Sequence, residues 1–189
     1  MTELSLHSRS GLPDALRVLL ADFPKEKWQQ DPRFGGTVQF WLERHLMFRR
    51  VLDLLIKTTQ SMADRKVSTS IFCKEVSRYG GMFVNGLHEH HTIEDTYYFP
   101  KLMTLDTRIS SGFDILERDH HDIDALLNAF VDTANPILQK RDDDAFIASA
   151  APQFEAQLQT LRHFLDRHLT DEEELIVPVI LRYGDPSEG

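Results

Sequence analysis

Apolar residues recur every three to four positions along most of the chain, the period of helices that bury one face. Residues 12–23 (LPDALRVLLADF) predict a short amphipathic helix with Pro13 near its first turn. Residues 24–36 carry Pro24, Pro32 and the Gly35-Gly36 pair, so they predict a connecting loop. Four long helices follow, over Thr37 to Ala63, Ser68 to Leu102, Ser110 to Ala134 and Asp143 to Leu181. Gly80-Gly81 is the expected irregularity of the second. The third is expected to stop near Asn135-Pro136, and Pro152 and Pro178 to kink or break the fourth. No strand-like alternation competes. Short connections favour antiparallel neighbours. The expected fold is therefore all-α: an antiparallel up-down-up-down four-helix bundle over residues 37–182, with an N-terminal extension (1–36) carrying one short helix and a tail (183–189).

The helical pattern contains a repeat. His90-His-Thr-Ile-Glu94, with Pro100 six residues after its Glu, recurs as His168-Leu-Thr-Asp-Glu172, with Pro178 six residues after its Glu. Each copy puts an imidazole and a carboxylate at i and i+4 on one helix face. Helical neighbours sort the nine histidines. His45 has Val38, Trp41, Leu42, Phe48 and Leu52 one and two turns away. His90 has Phe83, Leu87, Ile93 and Tyr97; His120 has Phe113, Leu116, Ile123 and Leu127; His168 has Leu161, Phe164, Leu165 and Leu175. Each long helix thus carries one histidine on its apolar stripe. His7, His121 and His163 read as solvated. His88 and His91, with mixed neighbours, read as surface groups or as supports for a ligand.

A buried carboxylate costs several kcal/mol unless it is paired or bound to a cation. Glu94 and Glu172 lie close to the stripes of His90 and His168, so burying both beside four imidazoles points to metal. Mutual His–Glu pairing is the plainer alternative. Four imidazoles and two carboxylates are too many for one tetrahedral zinc. Divided over two ions, they leave room for solvent or a small molecule, and the N/O set suits non-haem iron ahead of manganese or zinc. The candidate metal ligands are His45, His90, Glu94, His120, His168 and Glu172.

Charge and cysteine content narrow the alternatives. Lys+Arg number 21 against Asp+Glu 30, a formal net charge of −9, which argues against nucleic acid and anionic membranes as partners. The single cysteine, Cys73, allows no intrachain disulfide or thiolate cluster and reads as a small buried hydrophobe. No apolar run is long enough to span a membrane, and the first residues lack a signal-peptide pattern, so the expectation is a soluble cytoplasmic protein.

These residues resemble the hemerythrin-like, HHE cation-binding family. Its pattern has His on helix one, His-x-x-x-Glu on helices two and four, and His on helix three. Here those are His45, His90/Glu94 (then Tyr-Tyr-Phe-Pro), His120 and His168/Glu172 (then Leu-Ile-Val-Pro), over about residues 37–182. The resemblance implies an oxo- or carboxylate-bridged centre of two iron ions. One departure is Asp124, at the place where oxygen-carrying members have a second histidine on helix three. A four-His, two-carboxylate variant is expected, with Asp124 a third carboxylate ligand, a support or an exposed charge.

Three functions are consistent with this reading. The first is binding or sensing of O2, peroxide or nitric oxide, or handling of iron. The second is an oxidoreductase consuming peroxide or NO at the same centre, with Tyr97, Tyr98 or Tyr79 assisting. The third is an interaction module with a structural metal. Residues 1–36, with Phe23, Trp28 and Phe34, are expected to cap the bundle or to contact a second copy or another protein partner.

Overall fold

A computed structural model describes residues 4–186, so residues 1–3 of the expected extension and 187–189 of the expected tail lie outside the described residues. Every regular element among the described residues is helical. The short helix α1 (Val18–Asp22) sits between short 3-10 segments at Asp14–Leu16 and Lys25–Gln30. Next comes α2 (Gly36–Ala63). A second long helical stretch is made of α3 (Thr69–Glu75), α4 (Gly81–Ile93) and α5 (Phe99–Leu102), joined by π turns at Val76–Gly80 and Glu94–Tyr98. Last come α6 (Ser110–Gln139) and α7 (Asp144–Tyr183).

Helix ends follow local chemistry. The Ser68 hydroxyl accepts the Ile71 N–H at 3.3 Å, and the Asp143 carboxylate accepts the Phe146 N–H at 3.0 Å, each supplying an acceptor to an N-terminal donor. Helix α2 closes with Lys66 N–H on the Ser61 carbonyl at 2.8 Å, which puts Arg65 at φ 59°. Gly80, the last residue of the first π turn, lets the Phe130 ring come close, since a Cβ there would stand 3.1 Å from it. Pro100 follows the second, where its missing N–H and its ring disfavour a regular α turn.

The other prolines do less than expected. Helix α6 runs through Pro136 to Gln139, whereas the sequence suggested an end near Ala134. Helix α7 passes Pro152 and Pro178 without a break. Each proline removes one backbone bond, but fully buried neighbours such as Ile137, Phe154 and Val179 hold the helices in place, and packing outweighs local preference.

The chain divides into two compact units, each taking one stretch from every long helical segment. Unit 1 comprises residues 1–46, 90–121 and 166–189; unit 2 comprises 47–89 and 122–165. The apolar core of unit 1 gathers Val38, Trp41, Phe99, Phe113, Leu116, Leu175 and Ile176. Leu12, Leu19 and Trp28 belong to the same core, so the N-terminal extension is an integral layer of this unit. In unit 2, Phe48 meets Phe83 edge to face, and Phe154 contacts both Phe72 and Phe130. Cys73 is buried there, and burial pushes its thiol pKa up.

Candidate metal centre

All six expected ligands fall in unit 1, and the structure brings them together. His45, His168 and Glu172 are fully buried; Glu94 and His120 are 1% and 2% exposed, and the His90 side chain 10%. The Nε2 atoms of His45 and His90 lie 3.1 Å apart. Two ligands at right angles on one ion, each about 2.1 Å from it, stand about 3 Å apart, so this separation fits a shared ion.

The carboxylates show a two-fold pattern. Glu94 turns Oε1 to His90 Nε2 (3.0 Å) and Oε2 to His120 Nε2 (3.5 Å). Glu172 turns Oε1 to His45 Nε2 (3.4 Å) and Oε2 to His168 Nε2 (3.4 Å). Each carboxylate therefore reaches from the His45–His90 pair to the His120–His168 pair, one oxygen to each side. Glu94 Oε1 and Oε2, Glu172 Oε2, His120 Nε2 and His168 Nε2 are buried and make no hydrogen bond among the described residues. Polar atoms left in this way are costly unless something else binds them.

Other acids orient the rings from behind. His45 Nδ1 meets Glu173 at 3.0 Å, His120 Nδ1 meets Asp95 at 2.8 Å, and His168 Nδ1 meets Asp119 at 3.3 Å. A carboxylate on Nδ1 places the donor hydrogen there and leaves the Nε2 lone pair facing the centre. The two acidic doublets thus divide their labour. Glu94 and Glu172 face inward, while Asp95 and Glu173 each hold a histidine from another helix. Trp41 adds an N–H to Glu172 Oε1.

Asp119 is itself held from the N-terminal extension. Arg9, 8% exposed, bonds both Asp119 oxygens and reaches Asp171 with Nε at 2.8 Å. Asp171 also accepts the Leu12 N–H at 3.1 Å and a bond from Arg167 at 2.5 Å. Nothing in the hydrophobic pattern marks Arg9 or Asp119, because the pair they form spans 110 residues and the His168 that Asp119 holds is 49 residues further on.

Charges in the cluster are strongly biased. Burial and then the Glu172 charge push the Glu94 pKa well above the usual carboxylate range. Burial would raise Glu172 as well, but His45 and His168 outweigh it and hold Glu172 well below that range. Burial lowers His168, yet the hydrogen bond to Asp119 and the nearby Glu172 carboxylate lift it to about 9. His90 is pushed down to about 3, mainly by burial.

His91 requires a correction. Of the two readings its mixed neighbours suggested, a surface group or a support for a ligand, the first falls: it is 4% exposed and stacked on His120 at 4.0 Å, and both its nitrogens lack hydrogen-bond partners among the described residues. The buried face of this stretch runs between His90 and His91, so Ile93 and Tyr97, counted as stripe neighbours of His90, are 45% and 40% exposed. Asp95, the polar neighbour that weighed against His91, is turned to His120. His7, His88, His121 and His163 are exposed. Asp124 lies in unit 2, 4.0 Å from His88, and Tyr79 is in unit 2 as well; the structure brings neither into the cluster.

The model of the hemerythrin HHE cation-binding domain matches residues 36–180. The chain belongs to this family. Curated proteins and solved structures give no match. As a hemerythrin-type HHE domain the protein is a cation binder, and its all-α fold and His/Glu clusters agree with that. No helix among the described residues is long and apolar enough to cross a membrane.

Proposed function

We propose that this hemerythrin-like protein holds two non-haem iron ions and binds or senses O2, peroxide or nitric oxide there. The observation that carries the reading is the split of both carboxylates. Glu94 and Glu172 each offer one oxygen to the His45–His90 side and one to the His120–His168 side. One ion would leave one of these sides unused. The donors are imidazole nitrogen and carboxylate oxygen, a set that suits non-haem iron with manganese next, and both add redox chemistry that zinc lacks. Around it the chain's own residues bind, orient and exclude water. Glu173, Asp95 and Asp119 fix the imidazole tautomers, Trp41 steadies Glu172, and Phe99 packs 5.5 Å from the His120 ring.

Elemental analysis of protein expressed with ample iron tests this, with about two iron ions per chain expected. His90→Ala and His120→Ala should lose iron, while His121→Ala, at an exposed position, keeps it. Stoichiometric single zinc under those conditions would overturn the reading.

The enzymatic alternative has one observation in its favour. Tyr97, Tyr98 and Trp41 form a row of rings with centres 5.1 and 4.7 Å apart, ending on the indole that donates to Glu172. Peroxide or NO turnover that falls when Tyr98 is changed to Phe would support it. Stoichiometric binding without turnover would leave the sensing reading.

A further inference from the structure

Unit 2 holds a cleft of about 650 Å³ whose residues are none of the metal-facing ones. One wall is a helical stripe. Ser70, Cys73, Lys74, Ser77 and Arg78 stand at steps of three and four along α3 and the π turn that follows it, so they share a face. The end of α6 and the turn before α7 form the other wall, with Leu138, Arg141 and Asp142.

The charge of this cleft runs against that of the chain. The formal net charge is −9, yet here three cations meet one carboxylate. Lys74, Arg78 and Arg141 make no hydrogen bond or ion pair among the described residues, and Arg78 touches only the Tyr79 ring, at 5.1 Å. Elsewhere in unit 2 an exposed cation finds an acid, as Arg162 does with Asp53 at 3.3 Å. The acids next in sequence are engaged otherwise. Asp143 accepts the Phe146 N–H at the start of α7, and Asp144 accepts the Thr69 hydroxyl. Like charges lining a cleft draw in ions of the opposite sign.

The donors fit a phosphate. Two guanidinium forks take phosphate oxygens in pairs, an ammonium adds a point charge, and the Ser70 and Ser77 hydroxyls donate to the oxygens that remain. Among the lining residues only Cys73 and Leu138 are apolar, which gives an aromatic base or an acyl chain little to pack on. The volume lies within the range of small-molecule sites and far exceeds a bare phosphate. An ionised Asp142 only accepts, so it suits a hydroxyl that the ligand carries. We infer that the cleft binds a small phosphate monoester of a polyol, with its phosphate on Lys74, Arg78 and Arg141 and a hydroxyl on Asp142.

Isothermal titration of the full chain at low salt tests this, with glycerol phosphate, a hexose monophosphate, inorganic phosphate and glucose as probes. One ester per chain should bind, with a Kd below about 1 mM. Inorganic phosphate should compete for the same site about tenfold more weakly, and glucose should not bind. Arg141→Gln should weaken the ester at least about tenfold, and so should Lys74→Gln combined with Arg78→Gln. Asp142→Asn should weaken the ester and not inorganic phosphate. Lys57→Gln, at an exposed position outside the cleft, should change neither. The substituted side chains are all exposed, so every variant should melt with wild type and keep its iron content. No saturable ester binding, or an equal loss in Lys57→Gln, would overturn the site. Inorganic phosphate held as tightly as both esters would overturn the monoester assignment. A wild type that binds ester but no iron would sink the di-iron reading and leave this one standing.

Discussion

Arg9 and Asp119, 110 residues apart, are joined by a two-pronged ion pair buried in unit 1, and the same carboxylate holds Nδ1 of His168. A residue of the N-terminal extension is thereby linked through one acid to a metal-facing imidazole. Replacing Arg9 by Met leaves Asp119 and Asp171 buried without their shared cation. The expected loss of stability is about 3–5 kcal/mol, the usual cost of removing one partner of a buried pair. Thermal melts should show it, and chelator competition should show faster loss of metal. The double variant Arg9→Met with Asp119→Asn should regain part of the melting temperature but not the metal retention.

Glu94 and Glu172 should respond differently to the same substitution. In the metal-free protein Glu94 favours its neutral form, so Glu94→Gln should leave the metal-free melt unchanged within about 1 kcal/mol. Glu172 is held charged by His45 and His168, so Glu172→Gln should lower that melt. Either change should weaken metal binding, since each removes a carboxylate shared between the two sides. Equal metal-free melts for the two variants would contradict this division of charge.

Asp106 gives the protein an acid-sensitive joint. Its carboxylate accepts two bonds from the Arg108 side chain and one from the Tyr183 hydroxyl at 3.0 Å, and tethers the loop before α6 to the end of α7. Hydrogen bonding to Arg108 lowers its pKa from 3.8 to about 2. A depressed folded-state pKa contributes stability above the unfolded value and loses it as pH falls through the folded value. The window is thus about pH 4 down to about pH 2. Arg108 is 57% exposed, so solvent screening holds the increment to about 1 kcal/mol. Urea titrations across that window should show a loss about 1 kcal/mol smaller in Asp106→Asn than in wild type, since the other depressed carboxylates still titrate in both.

Arg65 sits at φ 59°, a region that costs residues with a Cβ about 1 kcal/mol or more and glycine little. Its side chain is exposed. Arg65→Gly should therefore raise stability by about 0.5–1 kcal/mol, measured as a higher denaturation midpoint at unchanged m-value.

The helices and the inward histidines of α2, α6 and α7 were readable because a regular helix converts sequence spacing directly into a face. That conversion fails at a π turn. Tyr97 lies inside the turn at Glu94–Tyr98, where the extra residue shifts the face, whereas His91 was set aside because of its polar neighbour Asp95, which packing turns to His120. The doublets Glu94-Asp95 and Glu172-Glu173 were visible as letters. That their second members hold histidines of other helices depends on packing between elements. Arg9 and Asp119 lay further out of reach, since a pair formed across 110 residues leaves no local period.

The π turn also settles whether the two halves of the chain are interchangeable. Both copies count from His to Glu to Pro in the same steps, yet only the first inserts a wider turn after its Glu, while α7 continues regularly through Glu172 and Pro178. The residue three beyond the acid is Tyr97, 40% exposed, in one copy and Leu175, 1% exposed, in the other. A chain built from two copies of the second half would keep the His and Glu of each repeat. It would misdirect the chain after Glu94 by about 100° for the missing residue. The duplication is one of composition; in space the repeats have become left and right pieces of a single lock.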